Sequence, residues 1–354
     1  MSENRKEAEE EKMAKAIFIS GDGWLAVFDL LAPSQLGLGI ALISHRFDCY
    51  VDEHFKTRKW ALEFIIIRRK IGKNGTMEIV NCNGKPLPMP KIQLPRKITD
   101  FKCITISYID RNVLAFLYRF RPFLASFCPI NLFINTSSGD DHILVFILRK
   151  FWLLLRESIR GIKLSARFFR RLRQFVPSFL TNCPSLCFVF FNFGNLFIEF
   201  PADDSAMASD GQAVAKWLFT PHPNNVPKVL RCCLQMDDVN LVSKLNAFKA
   251  AFSNASSPVN FIAVIWFPSS FAASVVLFDQ INELTREQLA LKGTEFSRCF
   301  LLIRCPIARD ANKWTKWEKE AIDWRICDQW NRIDIQINDQ DGIEDGLLDA
   351  TFGQ

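Results

Sequence analysis

Four histidines and eleven cysteines are the side chains of this 354-residue chain best suited to nucleophilic, proton-transfer or metal chemistry, yet their spacing gives them little to converge on. His45 and His54 lie in an amphipathic stretch, His142 follows Asp140-Asp141, and His222 sits between Pro221 and Pro223. None belongs to a nucleophile–base pattern, which needs titratable groups held within hydrogen-bond reach of one another. Asp140-Asp141-His142 reads as a solvated loop, since adjacent residues seldom converge on one cation. The cysteine spacings, Cys183-x-x-x-Cys187, Cys232-Cys233 and Cys299-x5-Cys305, contain no Cys-x-x-Cys pair and no second pair at zinc distance. Gly21-Asp-Gly23 and Gly37-Leu-Gly39 both lack the third glycine and the preceding strand of a dinucleotide cradle. No catalytic residues, no metal and no cofactor are expected, and interaction becomes the leading class of function.

The totals suit a protein with a sizeable core: 49% of residues are apolar and 23% charged, with a net charge of +6. Positive charge gathers between residues 156 and 173, where seven arginines and lysines face only Glu157, and the end of the chain from Asp334 to Asp349 is acidic. Both read as solvated surface, and no nucleic-acid partner is expected. A membrane-surface or nucleic-acid role for the basic stretch remains a third reading, which predicts binding that collapses as salt rises. Three uncharged stretches, 122–139, 183–198 and 258–278, are broken by Gly194, Pro268 and similar residues, so they read as buried strands and no membrane span is expected. An odd number of cysteines without scaffold spacing, and no apolar leader, imply reduced thiols in a cytoplasmic or nuclear setting.

The elements that would organise an interaction begin near the N-terminus. Leu25, Phe28 and Leu31 recur at three-residue steps and share one helical face, and Ala32-Pro33-Ser34 stops that helix. Leu36, Ile40, Ile43 and Phe47 then form a second stripe, with Ser44 placed to cap a third helix running through Val51 to Phe55. Three short helices in so few residues have little core of their own.

In order and spacing, Leu25-Ala-Val-Phe28, Pro33-Ser-Gln-Leu36 and Leu42-Ile-Ser-His-Arg-Phe47 resemble the F-box, as found in the F-box proteins expanded in nematodes, although the usual opening Leu-Pro is replaced by Ile19-Ser20-Gly21-Asp22. The resemblance implies a substrate-recognition subunit of a ubiquitin ligase. It would bridge a Skp-type adaptor, and through it a cullin–RING ligase, to an unknown protein substrate, with ubiquitin transfer left to the partner enzymes. It further implies adaptor binding through Leu25, Phe28, Leu31, Pro33, Leu36, Leu42, Ile43 and Phe47. The alternative is a non-catalytic α/β scaffold that binds a partner without any ubiquitin-ligase role.

Beyond this unit the chain reads as α/β. Residues 1–18 form a frayed tail, 19–56 the F-box-like unit, and 57–95 a hairpin turning at Gly72-Lys-Asn-Gly75 and a proline-rich linker. Residues 96–338 form the substrate-recognition domain and 339–354 a loose acidic tail. In the large domain, apolar runs beginning at Cys103, Ile130, Ile162, Leu186, Val229 and Phe261 alternate with amphipathic stretches at 110–125, 143–157, 166–180, 209–218 and 239–254, which implies crossover connections and a largely parallel sheet. Segments 124–134 and 180–190 share a Cys-Pro turn before a strand and resemble irregular leucine-rich repeats. After Val275 the reading turns to antiparallel strands, the last of them at 332–337, interrupted by a helix at 311–324 whose Trp314, Trp317 and Trp324 should face the core together.

Overall fold

A computed structural model describes residues 19–56, 60–70, 77–81, 83–87, 98–126, 129–135, 152–192, 196–234, 241–273 and 275–337. The turn expected at 72–75, most of the linker at 88–95, the 140–142 loop, most of the helix expected at 143–157, and both terminal tails lie outside them.

Runs rich in β-branched and aromatic residues become strands β1 (Trp60–Arg69), β2 (Met77–Asn81), β3 (Pro86–Leu87), β4 (Ile98–Ile106), β5 (Ile130–Ile134), β6 (Ile159–Leu164), β7 (Phe188–Phe191), β8 (Lys228–Cys233), β9 (Phe261–Trp266), β10 (Phe278–Asn282), β11 (Glu287–Gly293), β12 (Cys299–Pro306) and β13 (Arg332–Ile335). They join one sheet in the order β10-β11-β12-β9-β8-β7-β6-β5-β13-β4-β1-β2-β3. From β9 across to β1 the strands are parallel, and antiparallel strands flank them on both sides. The chain is therefore mixed α/β with a large, mostly parallel sheet.

The described helices are α1 (Gly21–Phe28), α2 (Pro33–Leu38), α3 (His45–Lys56), α4 (Arg111–Ser126), α5 (Ala166–Phe175), α6 (Asp210–Leu218), α7 (Leu241–Ser253) and α8 (Ala311–Asp323), besides shorter turns. Their starts follow from local chemistry. Ser209 caps α6 through the Gln212 N–H at 3.1 Å while the Gln212 side chain accepts from the Ser209 N–H at 2.8 Å, the reciprocal box legible in Ser209-x-x-Gln212. Ser165 caps α5 and Asp310 caps α8 by simple N-caps, their side-chain oxygens accepting from the Phe168 and Lys313 N–H groups at 3.1 Å.

Strands β5 to β9 sit side by side in chain order, and the helices that connect them from β6 onward, α5, α6 and α7, pack on one face. Phe168, Phe169 and Leu172 of α5, Val214 and Trp217 of α6 and Phe248 and Phe252 of α7 share a core with Ile162, Val189, Leu230 and Phe261 from the strands beneath. The opposite face carries a smaller cluster in which Trp314 and Ala321 of α8 cover Ile262, Val264, Leu301 and Ile303.

Three expectations are corrected. The last strand, expected among antiparallel neighbours, lies parallel in mid-sheet between β4 and β5. Because β12 runs against β9, it ends where the parallel strands begin, so α8 returns the chain to that same end and β13 must start there. Residues 60–69 and 77–81 pair antiparallel as the expected hairpin, but it does not stand ahead of the large domain: β1 also pairs with β4 in the same sheet, with Ile65 beside Ile104. In the basic stretch, Arg173 is buried, not solvated. It pairs with Asp210 at 3.1 Å and donates to the carbonyls of Ala208 and Ser205.

Lys228 opens β8 inside the core, its Nζ donating to the Trp217 carbonyl at 2.5 Å near the end of α6. Burial pushes its pKa down to about 8. Between pH 8 and about 10.5 the unfolded chain keeps a proton that the folded chain has lost, so over that window stability from this residue rises with pH. Urea unfolding of wild type and Lys228→Met at pH 7 and pH 10 should show the wild type gaining roughly 2.5 kcal/mol on the variant. A pH-independent gap would refute a depressed lysine.

Candidate docking surfaces

Three short helices form here, but the second stripe does not lie on one of them: Leu36 is in α2, Ile40 in a 3-10 turn at Ile40–Leu42, Ile43 just after it and Phe47 in α3, where the Ser44 hydroxyl accepts from the Phe47 N–H at 3.4 Å. The structure separates the eight predicted adaptor residues by depth. Phe28 and Leu36 are wholly buried, sharing a core with Val51, Phe55 and Leu62. Leu25, Leu31 and Phe47 are half-buried against that core, and Phe47 meets Trp24 edge-on at 4.9 Å. Pro33 opens α2, and Leu42 is half-buried in the turn that follows. Ile43 faces solvent, 63% exposed. The stripe reading missed Leu30, 84% exposed in the turn after α1, together with Val27 at 39%. Leu30 lies one residue off the three-residue stripe, and the apolar pair Leu30-Leu31 beyond a helix end was its only sequence signal.

A second surface lies on the sheet face opposite α4–α7. Register brings Asn131, Gly161, Phe188, Val229 and Ile262 into one row. Trp324, just past α8, stacks on Phe188 with centroids 3.8 Å apart. A Cβ at Gly161 would press on the Asn131 amide oxygen and force that side chain to shift, while touching the Trp324 ring only at ordinary contact distance. Beside this stack a cavity of about 550 Å³ is lined by Trp317, Trp324, Trp330, Phe188 and Val229, with Glu320, Asp323, Asp328 and Arg160 around it. Two residues further along the strands, beyond the cavity, this sheet face turns charged: Asp334 lies 2.9 Å from Arg332 Nε and accepts from the Cys103 thiol at 3.6 Å. Burial raises the Asp334 pKa although Arg332 opposes it, and burial lowers that of Lys163. The thiols of Cys183 and Cys232 are pushed up by burial, which leaves them as poor nucleophiles.

Compared with protein-family models, curated proteins and solved structures, the chain matches none.

Among the described residues, no three histidine, cysteine or acidic side chains are grouped to hold a metal, and no helix is long and apolar enough to cross a membrane. The tryptophans expected to face the core together divide: Trp314 is buried in the small cluster and meets Trp317 edge-on at 5.4 Å, Trp317 packs on that cluster and also lines the cavity, and Trp324 walls the cavity.

Proposed function

We propose that the chain is the substrate-recognition subunit of a Skp/cullin/F-box ubiquitin ligase. In this reading the three-helix unit docks on a Skp-type adaptor, and the sheet domain, whose consecutive strands β5 to β9 are leucine-rich-repeat-like, holds the protein to be modified. The observation that carries it is the split within the small unit. Phe28, Leu36, Val51 and Phe55 are used internally, while Leu30 and Ile43 are left in water. Large apolar side chains exposed beside a fully used core are what an interface anchor requires.

The test is co-purification of the full chain with a Skp-type adaptor, comparing wild type with a Leu30→Asp, Ile43→Asp double variant. Wild type should form a one-to-one complex and the double variant none, with unfolding temperatures within a few degrees because both sites are exposed. If wild type captures no adaptor, the ubiquitin-ligase reading falls and the α/β scaffold reading takes its place.

A further inference from the structure

On the sheet face opposite α4–α7, the register aligns Asp334, Phe133, Lys163, Phe190 and Arg231 across β13, β5, β6, β7 and β8. Charged and aromatic side chains alternate along this row. Lys163 Nζ stands 4.8 Å from the Phe133 ring centroid and 5.0 Å from that of Phe190. The Arg231 guanidinium lies 5.2 Å from the same Phe190 ring, so the two cations flank one aromatic platform and stand no more than about 10 Å apart.

Their hydrogen-bonding capacity is not used up. Among the described residues Lys163 has no hydrogen bond or ion pair, although it is half-buried. Arg231 spends Nη1 on the carbonyls of Ile322 and Trp324, at 3.0 and 2.9 Å, which fixes the group in place. The nearby carboxylate of Asp334 is committed to Arg332 and Cys103. Like charges held over one ring repel, and a half-buried ammonium lacks part of its hydration, so an oxyanion placed there relieves both costs.

We propose that this face binds an extended acidic peptide, its oxyanions on Lys163 and Arg231 and an apolar side chain in the cavity beside Trp324. The row spans four strand spacings, roughly 19 Å, which suits about six extended residues laid across the strands. Glu320, Asp323 and Asp328 near the cavity repel acids at that end, and Asp323 also acts on Arg231, so the principal oxyanion contact belongs to Lys163 with Arg231 as the secondary one. The proposal concerns the chain alone and holds whether or not the three-helix unit captures an adaptor.

The oxyanions can come from aspartate and glutamate or from phosphoserine, and the experiment separates them. Fluorescence anisotropy is measured on the full chain with three labelled peptides of one length around a central Phe: one rich in Asp and Glu, one with phosphoserines, and one with lysines. An anionic peptide should bind more tightly than the lysine peptide, and the tighter of the two identifies the oxyanion. Its binding should weaken at least about tenfold in Lys163→Gln, and again between about 50 and 300 mM salt. Equal binding of all three peptides, no anionic binding, or unchanged affinity in a folded Lys163→Gln would each overturn the proposal. Protection of the Lys163 amine from acetylation by the bound peptide reads the same contact in wild type, should the variant fold poorly; an unprotected amine at saturation also overturns it.

Discussion

Glu287→Ala is expected to cost about 3–5 kcal/mol of folding stability, the largest loss from any single charged residue in the described structure. Glu287 and Arg304 are diagonal neighbours on one face of β11 and β12, with exposures of 1% and 0%. Arg304 donates to Glu287 Oε2 from Nε at 3.1 Å and from Nη2 at 2.6 Å, and its Nη2 also reaches the Ser257 carbonyl at 2.9 Å. The second carboxylate oxygen accepts from the Val259 N–H at 2.7 Å, which ties the loop before β9 to β11. The guanidinium lies between Phe219 and Phe252, each ring about 5 Å away. Removing the carboxylate strands a positive charge in this apolar setting and orphans the Val259 N–H. Most of the loss belongs to the stranded charge and not to the lost attraction, so a Glu287→Leu, Arg304→Met double variant should recover a large part of it. Chemical denaturation of both singles and the double forms the cycle, and a single-variant loss below about 1 kcal/mol would show that solvent reaches the pair.

The same pair shows why parts of this fold were legible in the sequence and others were not. Ser209-x-x-Gln212 announces α6 because a capping box is complete within four residues. The runs at Ile130 and Phe261 announce β5 and β9, because strands buried on both faces are apolar without alternation. The place of β13 depends on where α8 returns the chain, which no local pattern records. Glu287 and Arg304 are seventeen residues apart, and only the β11–β12 register makes them partners. Likewise Lys163, Phe190 and Arg231 carry no common spacing, and their row exists only once three parallel strands are aligned. In the helical unit, periodicity found which residues are apolar but not that Phe28 points inward while Leu30, one step off the stripe, points out.

Phe28→Ala should therefore act on the whole molecule and not on a detachable module. Phe28 is completely buried, lies 6.3 Å from Trp24 and 5.9 Å edge-on from His54, and belongs to the same continuous core as Leu62, Ile65 and Phe101 of β1 and β4. Truncating a buried phenylalanine typically costs 3–5 kcal/mol, from lost transfer energy and from the cavity left behind. Because α2 packs on β1, that loss should appear as one earlier, still cooperative transition, seen alike by helix-sensitive circular dichroism and by tryptophan fluorescence. Two separated transitions would show instead that residues 19–56 unfold independently of the sheet. The same continuity bears on how adaptor binding is to be tested. Deleting the helical unit uncovers core residues on β1, so loss of binding in such a truncation confounds docking with folding. Leu30→Asp with Ile43→Asp leaves that core intact, and the contrast with Phe28→Ala separates the surface that meets a partner from the packing that holds it in place.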